Sequence, residues 1–280
     1  MNKYLKIILL FFITISIQIL TYTIFIKDHI SAWGSNKEEQ ILSLKGDEIA
    51  PYIISTRAIN INSTNIKVWN TLSKLGADRE GFFAYSFIEE LLGYKTIKNN
   101  EQLNHSMNIG RSIPTTIEKN EKYSFQIVDV KYGNYFVLKN WGTFFIKETK
   151  QNQTKLIVRS HGHTENKNDI QNLLFEPMHY IMERRMMIGI KAESENYKIS
   201  EFIDFLWLFS IIFTALGILY IMFSFFNIIS ICMTIILSNI WLYCLLVFNP
   251  LSYSSLILFI VVCLTYILLK RYNNQKSQYI

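Results

Sequence analysis

From Phe205 to Leu269 the chain carries no Asp, Glu, Lys, Arg or His. As one helix, at about 1.5 Å per residue, this stretch would be about 98 Å long, roughly three times a bilayer's hydrocarbon core. It must therefore fold back on itself. Polar breaks fall at Asn227 and at Asn249-Pro250; proline removes a backbone donor and pushes the preceding residue out of helix. Three transmembrane helices are expected, over residues 205–226, 228–248 and 251–269. A second uncharged run, Ile7 to Ile26, is rich in Ile, Leu and Phe and long enough to cross once. Residues 7–26 are therefore expected to form a fourth span.

Lys3 and Lys6 give this first run the basic start of a signal peptide, but the run is longer than a signal core. The nearest cleavage candidate, Ile30-Ser31-Ala32, begins with a bulky residue. The run is expected to stay as an anchor. The net charge of +6 gives no nucleic-acid footprint, because all 22 acidic residues lie between Lys27 and Asp204, where basic residues nearly balance them. The excess sits in Lys3, Lys6, Lys270, Arg271 and Lys276, at membrane ends, where basic residues mark the cytoplasmic side. With four spans this predicts a multi-pass protein, in the cytoplasmic membrane, with both termini cytoplasmic and the intervening domain outside. Cys232, Cys244 and Cys263 all fall inside expected spans, which leaves the domain without a disulfide framework. Spans without ionisable groups argue against an ion-coupled transporter.

Between the spans, residues 27–43 are polar and weakly patterned and read as a tether. Residues 44–198 read as one domain. Thr56 to Ile61 alternates polar and apolar residues, as a half-buried strand does. Asn62 to Asn65 then supplies turn and cap chemistry, and Ile66, Trp69, Leu72 and Leu75 recur at helical spacing up to Gly76. A second short helix fits Tyr85 to Leu92, before Gly93. Past an irregular stretch to Gly110, four β segments follow with tight turns: Tyr123 to Val130, Tyr135 to Asn140, Trp141 to Glu148 and Thr154 to His161. A long helix is expected over Ile170 to Lys198, with Leu174, Met178, Ile181, Ile188 and Ala192 on one stripe and Pro177 as a kink or a start. About six residues then separate it from the next span.

Several segments resemble the bacterial SRPBCC superfamily of START-like lipid-transfer domains and polyketide cyclases. They are Gly46-Asp47-Glu48, Thr56-Arg57-Ala58-Ile59, Val68-Trp69, Gly81-Phe82-Phe83-Ala84-Tyr85-Ser86, Glu89 to Gly93, Met182-Glu183-Arg184-Arg185-Met186 and Gly189-Ile190-Lys191. The resemblance covers about residues 46 to 195. It implies an α+β helix-grip domain, an antiparallel sheet curved round the long C-terminal helix, with a hydrophobic cavity between them. It carries over no catalytic motif.

The candidate pocket residues are Trp69, Tyr85, Trp141, Arg159, Met178 and Met182. The aromatic rings combine apolar bodies with polar tips, and the methionines, with Met186 and Met187, suit an adaptable wall. A charge on a strand as apolar as that of Arg159 must be paired, bind something anionic or face solvent. His161-Gly162-His163, with Glu165 beyond, has metal-like spacing on a strand, but no third ligand is evident. Glu89-Glu90 reads as one glutamate on a solvated face, and Arg184-Arg185 as a solvated helix face or a headgroup contact. No phosphate loop, nucleophile elbow or CxxC is present, so no cofactor is expected. The leading expectation is a membrane-tethered module binding a hydrophobic or lipid-like small molecule. The alternatives are a cyclase- or dehydratase-like enzyme drawing on Arg159, His161 and Glu89, and a structural or sensory membrane protein.

Overall fold

The computed structural model describes residues 3–50, 52–91, 106–115, 124–162, 170–225 and 227–278. Helix α1 (Lys3–Thr21) continues through a π-helical turn (Tyr22–Ile26) into α2 (Lys27–Ser31), followed by α3 (Lys37–Ile41). Then come β1 (Tyr52–Ile61), α4 (Asn65–Leu72), α5 (Ser86–Leu91), β2 (Ser112–Pro114), β3 (Ser124–Lys131), β4 (Tyr135–Leu138), β5 (Gly142–Lys150), β6 (Gln153–Gly162) and α6 (Ile170–Ser194). Helices α7 (Glu201–Ser224), α8 (Ile228–Leu246) and α9 (Ser254–Gln278) complete the chain. It divides into two compact units, residues 1–29 with 202–280, and residues 30–201.

The first unit is helical. Among the described residues, four helical stretches are long and apolar enough to cross a membrane: Tyr4–Ser31, Glu201–Ser224, Ile228–Leu246 and Ser254–Gln275. Asn227 caps α8 through a reciprocal bond pair with Ser230, so the break read from the sequence is a true helix start. Hydropathy marked the apolar lengths rather than the helix ends, and α9 runs past Lys270 to Gln278. Polar side chains join these helices to one another. Gln18 donates to the Ser238 carbonyl (3.0 Å), Thr21 to Asn239 (2.7 Å), Trp241 to the Ile211 carbonyl (2.9 Å) and Ser210 to Ser255 (2.7 Å).

The second unit is α+β. Its six-stranded antiparallel sheet has the order β1-β6-β5-β4-β3-β2. Strand period sends Leu156, Val158 and Ser160 to one face and Ile157, Arg159 and His161 to the other. On the first face Ile61, Ile127, Phe136, Phe144, Leu156 and Val158 pack against α4 (Val68, Trp69, Leu72) and α6 (Met186, Met187, Ile190). Thr64 caps α4 by accepting from Lys67 N–H, and Trp69, Leu72 and Leu75 are buried as their spacing predicts. Pro177 lies inside α6, whose described residues run from Ile170 to Ser194, short of the expected Lys198. Strand β4 stops at Leu138 because Asn140 turns the chain with φ +68°. Strand β2 was not foreseen.

The tether expectation needs correction. Residues 30–47 are packed onto the sheet. Trp33 O accepts from Ala58 N–H (2.8 Å) and Ser35 Oγ donates to Thr56 O (2.7 Å), so this segment covers the free edge of β1. Gly34 makes that possible: it has φ +70°, and a Cβ there would lie 2.0 Å from Ala58 O. Asn36 caps α3, and the chain then crosses the sheet face opposite α6. The fastening at the β1 edge runs through Trp33 O, the Ser35 hydroxyl and one glycine, which an apolar pattern does not register.

Candidate functional site

Two polar constellations meet at the β4–β5 turn, one on each face of the sheet, with Trp141 between them. On the α6 face, Arg57 of β1 and Glu183 of α6 pair at 2.9 Å with neither side chain exposed. Arg57 also donates from Nε to Ile30 O (2.7 Å). Glu183 Oε2 further accepts from Trp141 Nε1 (3.2 Å) and Ser160 Oγ (3.0 Å) and lies 3.5 Å from His179 Nε2. The guanidinium groups of Arg57 and Arg184 each lie over the Tyr180 ring, 4.9 Å from its centroid.

Burial alone would raise the Glu183 pKa, but the Arg57 charge, His179 and the bonds from Arg57 and Trp141 outweigh it. Glu183 is held below the usual carboxylate value. His179 moves down instead, because burial and the Arg57 charge outweigh the attraction of Glu183. Its ring stacks on Phe175 and meets Trp141 edge-on. Among the described residues, Ser55 Oγ and Arg57 Nη2 are buried here without a hydrogen-bond partner.

On the opposite face Arg159 fastens the crossing segment. Its Nη1 donates to Leu42 O (2.6 Å) and Asp47 Oδ2 (2.7 Å), its Nη2 to Glu39 O (2.9 Å) and Gln40 O (3.0 Å), and its Nε to Thr56 Oγ1 (3.1 Å). The guanidinium's fixed fork of five donors suits a loop that offers several carbonyls at once. Lys155 pairs with Glu39 (2.7 Å), and Thr143 donates to Lys45 O. Asp47 Oδ1 lies 3.0 Å from His161 Nε2. Next to this pair is a cleft of ≈ 220 Å³ with apolar walls from Ile49, Ala50, Val128, Val137, Leu138 and Trp141, and with Lys139, Asn140 and His161 as its polar side chains beside Gly46 and Gly142.

The structure separates the six pocket candidates. Trp141 lines the cleft and reaches Glu183 through the sheet end. Trp69 is 3% exposed and packs edge-on against Phe136, and Tyr85 is 1% exposed under Arg185, so both are core rings. Arg159 faces away from α6 and is satisfied by protein atoms. Met178 (69% exposed) and Met182 (37% exposed) form an outward stripe on α6 with Phe175, whereas Met186 and Met187 belong to the core. Arg184 and Arg185, read as solvated, are buried. His163 and Glu165 lie outside the described residues, as does the side chain of Glu89. Among the described residues no group of three or more His, Cys, Asp or Glu could hold a metal.

Sequence reasoning missed Asp47, Arg57, His179 and Glu183 as site residues. Three of them sit in quoted segments, Gly46-Asp47-Glu48, Thr56-Arg57-Ala58-Ile59 and Met182-Glu183-Arg184-Arg185-Met186. The signal available was a charge inside an otherwise apolar strand or helix, which burial obliges to pair. Comparison with protein-family models, curated proteins and solved structures gave no match.

Proposed function

We propose that this protein is a membrane-anchored binding module for a small apolar or amphiphilic molecule. Residues 44–198 are read as a helix-grip domain of the SRPBCC kind, held outside the cytoplasm by spans whose termini are cytoplasmic. An antiparallel sheet with one long C-terminal helix packed on it supports that fold reading. The observation that carries the function is the cleft beside Trp141: a mostly apolar wall with one polar side, the usual make-up of a small-molecule site. At ≈ 220 Å³ it lies below the roughly 300–1,000 Å³ of pockets that enclose a drug-sized ligand, so it takes a single ring or the end of a longer chain. That size argues against a cyclase-like reaction on an extended polyketide, although Asp47 and His161 would be the acid–base pair of such a reaction.

The test uses 4-fluorotoluene as a probe and the full chain in detergent, read by fluorine NMR. Saturable binding that is lost in Ala50→Trp, where the new ring fills the cleft, is the expected result. Identical signals from wild type and variant would overturn the reading.

A further inference from the structure

We infer that the Asp47–His161 pair gives this cleft a directional hydrogen-bond acceptor at His161 Nδ1, so that the molecule it takes is an apolar body bearing one O–H or N–H donor. The inference rests on the cleft being a binding site and adds the polarity of its ligand. The geometry fixes the tautomer. Asp47 Oδ2 accepts from Leu44 N–H (2.8 Å) and from Arg159 Nη1 (2.7 Å), which is the environment of an ionised carboxylate. An ionised carboxylate only accepts, so the proton on the 3.0 Å contact with Oδ1 belongs to His161 Nε2. In the neutral ring the other nitrogen, Nδ1, then carries a lone pair.

The His161 side chain is 5% exposed, and among the described residues no hydrogen-bond partner meets that nitrogen. Its ring lines the cleft. Gly142 keeps the approach open: a Cβ there would lie 3.1 Å from Nδ1. The ring cannot swing away to satisfy itself elsewhere. His161 N–H is tied to Trp141 O (2.8 Å), its Nε2 is tied to Asp47, and Asp47 is tied to Arg159. A fixed acceptor in a cleft whose walls are mostly apolar selects by penalty. A ligand lacking the donor leaves Nδ1 stripped of water and unpaired, which weakens its binding relative to one that carries the donor.

The test compares 4-fluorophenol with 4-fluorotoluene, which match in size and differ in the O–H, on the full chain in detergent. In wild type the ratio of phenol to toluene affinity is expected to exceed that in His161→Leu by roughly three- to tenfold. With [15N]histidine-labelled wild type, the His161 Nδ1 resonance, assigned by its loss in the variant, is expected to shift on adding the phenol and not the toluene. This second measurement needs no folded variant. If both probes bind saturably with Nδ1 unmoved, the acceptor assignment is overturned while the cleft reading stands. If neither probe binds, both are overturned.

Discussion

Arg57 and Glu183 face each other across β1 and α6 at 2.9 Å, fully buried, and Arg57 holds the Ile30 carbonyl with its remaining reach. One ion pair thus joins the segment entering the domain to the helix that leads out of it. Taking two charges out of water is costly, and removing one partner strands the other. Arg57→Ala is expected to destabilise the chain by about 3–5 kcal/mol, whereas Arg57→Met with Glu183→Leu loses less than either single change. Denaturant unfolding followed by tryptophan fluorescence compares the three.

Stability should depend on pH through His179 and Glu183. The folded His179 value lies below the usual 6.5, so just below pH 6.5 the unfolded chain binds more protons than the folded one. Stability is then full above about pH 6.5 and declines beneath it. Glu183 is held below 4.5 and contributes above that value, a contribution lost as pH falls through the folded one. His179→Phe is expected to flatten the melting temperature near and just below pH 6.5 while leaving the acid loss. The His179 side chain is a quarter exposed, so the effect is modest.

Arg159→Lys keeps the charge and loses the fork, and a lysine cannot reach four oxygens of one loop. The segment 36–48 should loosen while the core persists. Hydrogen exchange read by mass spectrometry is expected to show faster exchange confined to that peptide. Uniform acceleration would mean that the clamp supports the whole fold.

Residues 195–200 join α6 to α7 and span at most about 22 Å when extended. If the ligand comes from the bilayer, this short link matters. Inserting about twenty Gly/Ser residues after Ser200 adds an r.m.s. reach of roughly 25 Å. Loading of a lipid-borne probe in vesicles is expected to slow; unchanged loading would make the spans anchors alone.

Membrane orientation can be read with impermeant maleimide on cells. Once Cys232, Cys244 and Cys263 are replaced by serine, a single cysteine at Asn152 is expected to label from outside. One at Asn274 should label only after permeabilisation.

Much of the architecture was legible because it depends on local pattern. A long uncharged run yields several helices long and apolar enough to cross a membrane, and Asn227 and Asn249-Pro250 break it where helix bonds fail. Turn residues cut the β segments, and the stripe through Trp69, Leu72 and Leu75 fixes the buried side of α4. What the sequence could not decide was which partner each charge would find. Strand β6 is central and buried on both faces, so its alternation does not tell whether Arg159 or Ser160 looks toward α6. Nor do local signals show that Gly34 lies against Ala58, that Glu39 and Asp47 come over the sheet, or that Glu183 meets an arginine 126 positions earlier. Apolar burial is non-directional and leaves a periodic trace in the chain, whereas a hydrogen bond between distant residues exists only once the sheet has brought its two ends together.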